Sequence, residues 1–240
     1  MKPKPRAVVC EKVSKNNNPP DPPTYWVVSI PPKSVDRPVD PDGHAECIIS
    51  SDDKKRLFDC PLFLTERVPQ AKPNTINIKG CATGGLGMFA ARDITYGELL
   101  FAERPLLVNP AGCVSYFYPV DGYTLEDHLK LASIEEEQQL EQAFRRMDDD
   151  KKDAYMALAN SIKEDRSLSS IQQTNAFGFD LNELTRDGGV APNPDELSRG
   201  LAVKMGLEPN MYCVTGKNAS RMNHRWSLTL IHVNSYSPHM

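Results

Sequence analysis

A chain of 240 residues suffices for one sizeable core, or for one domain carrying an extended arm. Its 28 Lys and Arg against 32 Asp and Glu leave a formal charge of −4, which denies it the broad basic surface that direct nucleic-acid binding through phosphates requires. No run approaches the ~20 apolar residues of a bilayer span, and Met1–Arg6 leads into no apolar leader segment, so a soluble intracellular protein without membrane contact is expected, nucleus and cytoplasm undecided.

The 6 cysteines, Cys10, Cys47, Cys60, Cys81, Cys113 and Cys213, are scattered with no pair at zinc-closing spacing. Reduced thiols are therefore expected, several of them acting as small core residues. In that setting the sequon Asn218-Ala219-Ser220 is expected to stay unglycosylated.

Thirteen of the 20 prolines fall within residues 1–73, in runs such as Pro19-Pro20-Asp21-Pro22-Pro23 and Ile30-Pro31-Pro32-Lys33. Proline breaks helices and interrupts sheet ladders, which predicts an extended or disordered arm over this stretch. Two apolar islands within it, Tyr25–Ile30 and Cys60–Leu64, read as edge strands that dock on the later domain, or as short binding motifs.

From residue 74 onward the pattern becomes that of an α+β domain. Ile76 and Ile78 alternate with polar residues, and Glu98-Leu99-Leu100-Phe101-Ala102 reads as a second strand. Between them Gly80-Cys81-Ala82-Thr83-Gly84-Gly85-Leu86-Gly87 predicts a loop or tight turn, and Tyr96-Gly97 marks another. Residues 124–161 read as helical, with Ser133 and Glu136 as a capping box and Leu140, Ala143, Phe144 and Met147 as one apolar stripe. A second helix carries Tyr155, Leu158 and Ala159. Thr174–Phe179 returns to strand-like alternation, and Asp187-Gly188-Gly189 with Pro192-Asn193-Pro194 makes a surface loop. Strands on either side of a helical insertion define the α+β expectation.

Taken as one block, Gly84-Gly85-Leu86-Gly87-Met88-Phe89-Ala90-Ala91-Arg92-Asp93-Ile94, then Gly97-Glu98 and Glu103-Arg104-Pro105-Leu106, resembles the opening of a SET domain. A second stretch, Asn218-Ala219-Ser220-Arg221-Met222-Asn223-His224, is similar to the family segment in which a Ser-Arg-hydrophobic run leads into Asn-His. A third, Thr174-Asn175-Ala176-Phe177-Gly178, resembles the strand that follows the helical insertion in split-domain members. The resemblance divides the chain into a Pro-rich region 1–73, a front SET part 74–106, a helical insertion 107–173, a return to the SET core 174–224 and a divergent tail 225–240.

The resemblance implies a SET-type β fold with a helical insertion, and protein-lysine N-methyltransferase chemistry with S-adenosyl-L-methionine as cofactor. Gly85 and Gly87 would let backbone approach the donor, because any side chain there would block it. Leu86 would add backbone groups or packing, as would Met88, which also reads as core filler. Asn223 and His224 would hold the adenine and amino-acid end. Asn175 would lie beside the cofactor or satisfy a turn. The implied partner is a protein substrate or basic, histone-like peptide, met by Glu135-Glu136-Glu137 and Asp148-Asp149-Asp150 if these are not simply solvated helix faces.

The match stops after His224. Arg225-Trp226-Ser227-Leu228-Thr229 stands where the family has Ser-Cys-x-Pro-Asn, and the closing segment with the tyrosine that lines the lysine channel is not recognisable. Trp226, Leu228 and Leu230 alternate like a strand, while Tyr236 sits in no matching motif and takes no catalytic role. Methyl transfer needs a neutral amine held about 3 Å from the methyl carbon. A lysine side chain with a pKa near 10.4 must be desolvated to give one, which is the task of the missing channel. The expectation is thus a truncated or mis-spliced SET protein, inactive as it stands. Two alternatives remain beside it: a non-catalytic interaction module derived from the SET fold, and a product without a stable fold.

Overall fold

The computed structural model describes residues 25–33, 40–59, 67–82, 84–111, 124–162, 166–180 and 211–222, and the statements below concern these. The Pro19–Pro23 run, the Cys60–Leu64 island, the loop through Gly189 and Asn193, the Asn223-His224 pair, and the tail with Trp226 and Tyr236 lie outside the described residues.

In chain order the elements are β1 (Tyr25–Ile30), β2 (Ala45–Ser50), α1 (Ser51–Phe58), β3 (Ile76–Gly80), β4 (Leu86–Ala90), β5 (Leu107–Pro110), α2 (Leu125–Arg146), α3 (Asp149–Met156), α4 (Leu168–Asn175), β6 (Phe177–Asp180), β7 (Met211–Thr215) and a 3-10 turn (Ala219–Arg221). The architecture is α+β. A five-stranded mixed sheet runs in the order β1-β2-β5-β7-β6, and β3 and β4 form a separate two-stranded sheet. Only the β2–β5 pairing is parallel, with Glu46 opposite Leu107 and Cys47 opposite Val108.

Tyr25–Ile30 docks as an edge strand, antiparallel to β2 from Tyr25↔Ser50 to Ile30↔Ala45. Where an extended arm was expected through residue 73, β2 instead lies inside the sheet and is buried at all of its positions. Pro31, Pro32 and Pro41 sit between β1 and β2 rather than within them, so proline density here marks a connection and leaves the strands intact. Leu107–Pro110, expected to open the helical insertion, is likewise a strand of this sheet.

Alternation in β2 sorts the core into two layers. Ile48 faces α2 and α4 and packs with Leu107, Leu140, Ala143, Tyr155 and Ile171. Cys47 and Ile49 face the other way and pack with Ile30, Tyr212 and, from α1, Leu57. The predicted apolar stripe on α2 is real: Leu140, Ala143 and Met147 are buried, with Phe144 packed alongside and its ring 5.8 Å from that of Tyr155.

The capping box is elsewhere than expected. α2 runs unbroken from Leu125, and Thr124 caps it by accepting the Asp127 N–H while the Asp127 carboxylate accepts the Thr124 N–H. Ser133 lies inside the helix, where every backbone N–H already has a carbonyl partner one turn back. The Ser133–Glu136 spacing is therefore right for a cap but occurs where no helix begins.

Glu46 points from β2 toward the end of α2 and is fully buried, so its charge must be answered inside the protein. Arg146 at 3.2 Å and Lys33 at 3.3 Å do so, and the Ser29 hydroxyl donates at 2.9 Å. This cluster ties β1, β2 and the long helix into one unit.

Candidate functional site

The glycine stretch folds as the β3–β4 hairpin, with Ile78 opposite Met88 and Lys79 opposite Gly87. The Cys81 N–H donates to the Gly85 carbonyl at 3.0 Å and the Gly84 N–H to the Cys81 carbonyl at 3.0 Å. Gly84 and Gly85 take φ of +95° and +73°, conformations open to glycine and strained for other residues. The expected loop is thus shorter than Gly80–Gly87, since Leu86 and Gly87 already belong to β4. A Cβ built on Gly85 would meet nothing within 4 Å, so the backbone there borders open space. Leu86 is exposed, Gly87 is buried, and Met88 is intermediate.

The Arg-Asp-Ile and Gly-Glu parts of the block close on each other. The Arg92 guanidinium donates to both oxygens of the Glu98 carboxylate and, at 2.9 Å, to the Thr75 hydroxyl. The Thr95 N–H donates to the same carboxylate at 3.3 Å, and Gly97 turns the chain with φ +79°. Arg92, through its hydrogen bonds, holds the Glu98 carboxyl down at about 2. Glu98–Ala102, expected as a strand, is irregular: its first residue is consumed by this turn, the Glu98 N–H donating to the Thr95 carbonyl at 3.0 Å.

From this loop the chain reaches Glu103, whose carboxylate accepts the Asn218 N–H at 2.9 and 3.0 Å and the Ala219 N–H at 2.9 Å. These amides open the 3-10 turn, which leads toward Asn223-His224. Gly216 makes the approach possible, because a Cβ there would overlap the Glu103 carboxylate and stand 3.0 Å from the Ala219 Cβ. The far side of the turn is tied to the helices: Arg221 donates to the Ala157 carbonyl at 2.8 Å and the Ser220 hydroxyl to the Asn175 carbonyl at 3.0 Å. Cα atoms of β4 come within 8 Å of Cα atoms of the turn.

The Ala219–Arg221 turn therefore lies beside β4 on one side and the end of α4 on another. Asn175 makes its side-chain contacts within the protein. It ends α4, with the strand starting only at Phe177, and its side-chain amide donates at 2.6 Å to both the Ala159 and Ile171 carbonyls. Its backbone carbonyl is what touches the turn. Asn223 and His224 lie outside the described residues, so the donor's expected polar end is assigned by sequence alone.

Gly85 stands at the exposed end of the hairpin, where its backbone borders open space, as does that of Gly80 and Gly84. A separate hollow of about 300 Å³, lined by Met156, Leu158, Asn160, Arg166 and Ile171, belongs to the helical side and includes no residue of the hairpin. Among the described residues no cluster of His, Cys, Asp and Glu is arranged to hold a metal, and no helix is long and apolar enough to cross a membrane.

The acidic stretches are partly committed inside the fold. Glu137 accepts the Leu168 and Ser169 N–H groups at 2.8 and 2.9 Å, capping α4 from α2, and Asp148 pairs with Lys33 at 3.1 Å. Burial, reinforced by the neighbouring Glu137 charge, raises the Glu136 carboxyl. Burial pushes the Cys213 thiol up to about 11, with the Glu136 charge adding to the effect, and pushes Cys47 higher still, so both are inert at neutral pH.

Sequence reasoning included Glu103 in the resembling block without a role, and missed Gly216 altogether. A glycine directly before Lys217-Asn218 was the available signal. No protein-family model, curated protein or solved structure matches the chain.

Proposed function

We propose that the chain is a SET-type domain of the protein-lysine N-methyltransferase class that binds S-adenosyl-L-methionine between β4 and the turn at Asn218–Met222. The observation that carries this reading is the approach of β4 to the Ala219–Arg221 turn, two stretches far apart in sequence that the resemblance requires to share one site. Gly85, Leu86 and Gly87 would line the donor with backbone, and Asn223 and His224 would meet its amino-acid and adenine end. Asn175 would hold the turn through its carbonyl. When bound, the donor supplies an electrophilic methyl group.

Transfer of that methyl needs more than donor binding. The attacking lysine must shed its proton and its water, and Arg225–Thr229 stands in place of the family's Ser-Cys-x-Pro-Asn. We therefore propose donor binding without turnover for this chain, with basic, histone-like peptides as the class of partner.

Titration calorimetry of the full chain with S-adenosyl-L-methionine tests the reading. Saturable heat is expected, and no heat at millimolar donor sinks it. An assay on lysine-rich peptides is expected to yield no methylated product; product formation would restore the enzyme reading, and peptide binding in the absence of donor binding would leave a pure interaction module.

A further inference from the structure

We infer that the hollow on the helical side binds a small organic acid, a carboxylate joined to a compact apolar body, with Arg166 as its charged partner. The hollow measures about 300 Å³ and lies between the end of α3 and the start of α4. At the ~30 Å³ that one water occupies in the liquid, it has room for about ten non-hydrogen atoms. Leu158 and Ile171, 6% and 3% exposed and both part of the core, close it on the inside, and Met156 lines it from α3. Mostly apolar walls with few polar groups are the usual make-up of a small-molecule site.

The two polar lining residues differ in what they leave over. Asn160 is already engaged, its side-chain amide donating to the Ser170 hydroxyl at 2.9 Å and its side-chain oxygen accepting the Ile162 N–H at 2.9 Å. Arg166 is exposed and, among the described residues, pairs with no carboxylate. It is the one charged residue of the lining, and its planar fork of donors matches a carboxylate. A phosphate dianion would ask for more positive charge than a single guanidinium supplies. The start of α4 offers no rival anchor, because the Leu168 and Ser169 N–H groups already donate to Glu137. The borders of the hollow are fastened without a ligand: the Tyr155 hydroxyl donates to the Leu168 carbonyl at 2.9 Å, and the Ser161 N–H to the Thr174 hydroxyl at 3.1 Å. A preformed site of this kind loses little freedom when it is filled.

Phenylacetate, an acid of the right size, is the probe, and phenylacetamide is its uncharged match. Amide and arginine side-chain resonances of the full chain are followed by NMR during titration with each. Phenylacetate is expected to shift Asn160, Arg166 and Ile171 with a dissociation constant on the order of a millimolar, and phenylacetamide to bind about tenfold more weakly. Arg166→Gln should weaken phenylacetate about tenfold and leave phenylacetamide unchanged. Met156→Glu, at a position 45% exposed and so tolerant of charge, should abolish phenylacetate binding. Equal binding of acid and amide overturns the inference, and so does unaltered phenylacetate binding in Arg166→Gln. Either result would mean that the guanidinium takes no part in recognition. Absence of shifts at Asn160, Arg166 and Ile171 on the native chain overturns it outright. The donor reading is tested separately, since no residue of the β3–β4 hairpin or of the Ala219–Arg221 turn lines this hollow.

Discussion

Arg92 and Glu98 show what a short motif accomplishes at the level of single side chains. Six positions apart, they close a loop whose Gly97 supplies the left-handed turn, with the Thr75 hydroxyl accepting from Arg92 and Lys72 standing 3.8 Å from the Glu98 carboxylate. Glu98 is held at about 2 in the folded protein, against an ordinary value of 4.5. Because the folded value is the lower one, the pair stabilises fully above the ordinary carboxylate range, and its contribution is lost as pH falls toward about 2. Arg92→Ala should therefore reduce the denaturation midpoint at neutral pH, with wild type and variant converging near pH 2; a constant gap across that range would refute the assignment. The motif residues of this closure were read in the sequence as one window, but their pairing was not. Glu103 was opaque because its partner Asn218 lies 115 positions away. No periodicity reports a carboxylate that caps a turn at that separation.

At the scale of elements, the stripe on α2 was readable because four apolar positions on one helix face have a single explanation. The start of the helix was not, because a Ser-x-x-Glu pattern recurs wherever those common residues happen to fall. Only a backbone with unpaired N–H groups makes use of it. Thr124→Ala should cost about 1 kcal/mol of stability by urea denaturation, whereas Ser133→Ala should cost nothing or stabilise slightly through helix propensity. Equal losses at both would return the cap to Ser133. β2 was hidden for a related reason. Ala45-Glu46-Cys47-Ile48-Ile49-Ser50 carries a charge in its midst, and a lone glutamate normally argues for solvent. Its neutralisation by Lys33 and Arg146 depends on α2, a hundred positions downstream. Likewise the contact of the Asn175 carbonyl with Ser220 was not expected, because sequence cannot show whether an asparagine offers its amide or its carbonyl to a neighbour.

For the molecule as a whole, the sheet decides what is separable. β2 is flanked by β1 and β5 and covered on both faces, by α2 and α4 on one side and α1 on the other. A chain begun at residue 74 would lose β1, β2 and α1 and uncover Leu107, Leu140 and Tyr155, each at most 1% exposed in the intact fold. Uncovering several such side chains removes a large part of a typical domain's net stability. That fragment is expected to show no cooperative thermal transition by circular dichroism, while the full chain does. A sharp transition in the fragment would show that the first strands are dispensable. The β3–β4 hairpin is in the reverse position: two strands are marginal alone, and Ile78 and Leu86 remain exposed on it, so its order depends on the turn it leans against.

The strand order also sets a timetable. A chain emerging from the ribosome completes β1 and β2 early, yet the free edge of β2 waits for Leu107–Pro110, and that strand in turn waits for Met211–Thr215. Pairings between distant segments are intrinsically slow to form, and an unsatisfied strand edge invites other chains. During synthesis the nascent polypeptide therefore carries an open, apolar half-sheet until Met211–Thr215 is made, and its dependence on chaperones should be greatest in that interval.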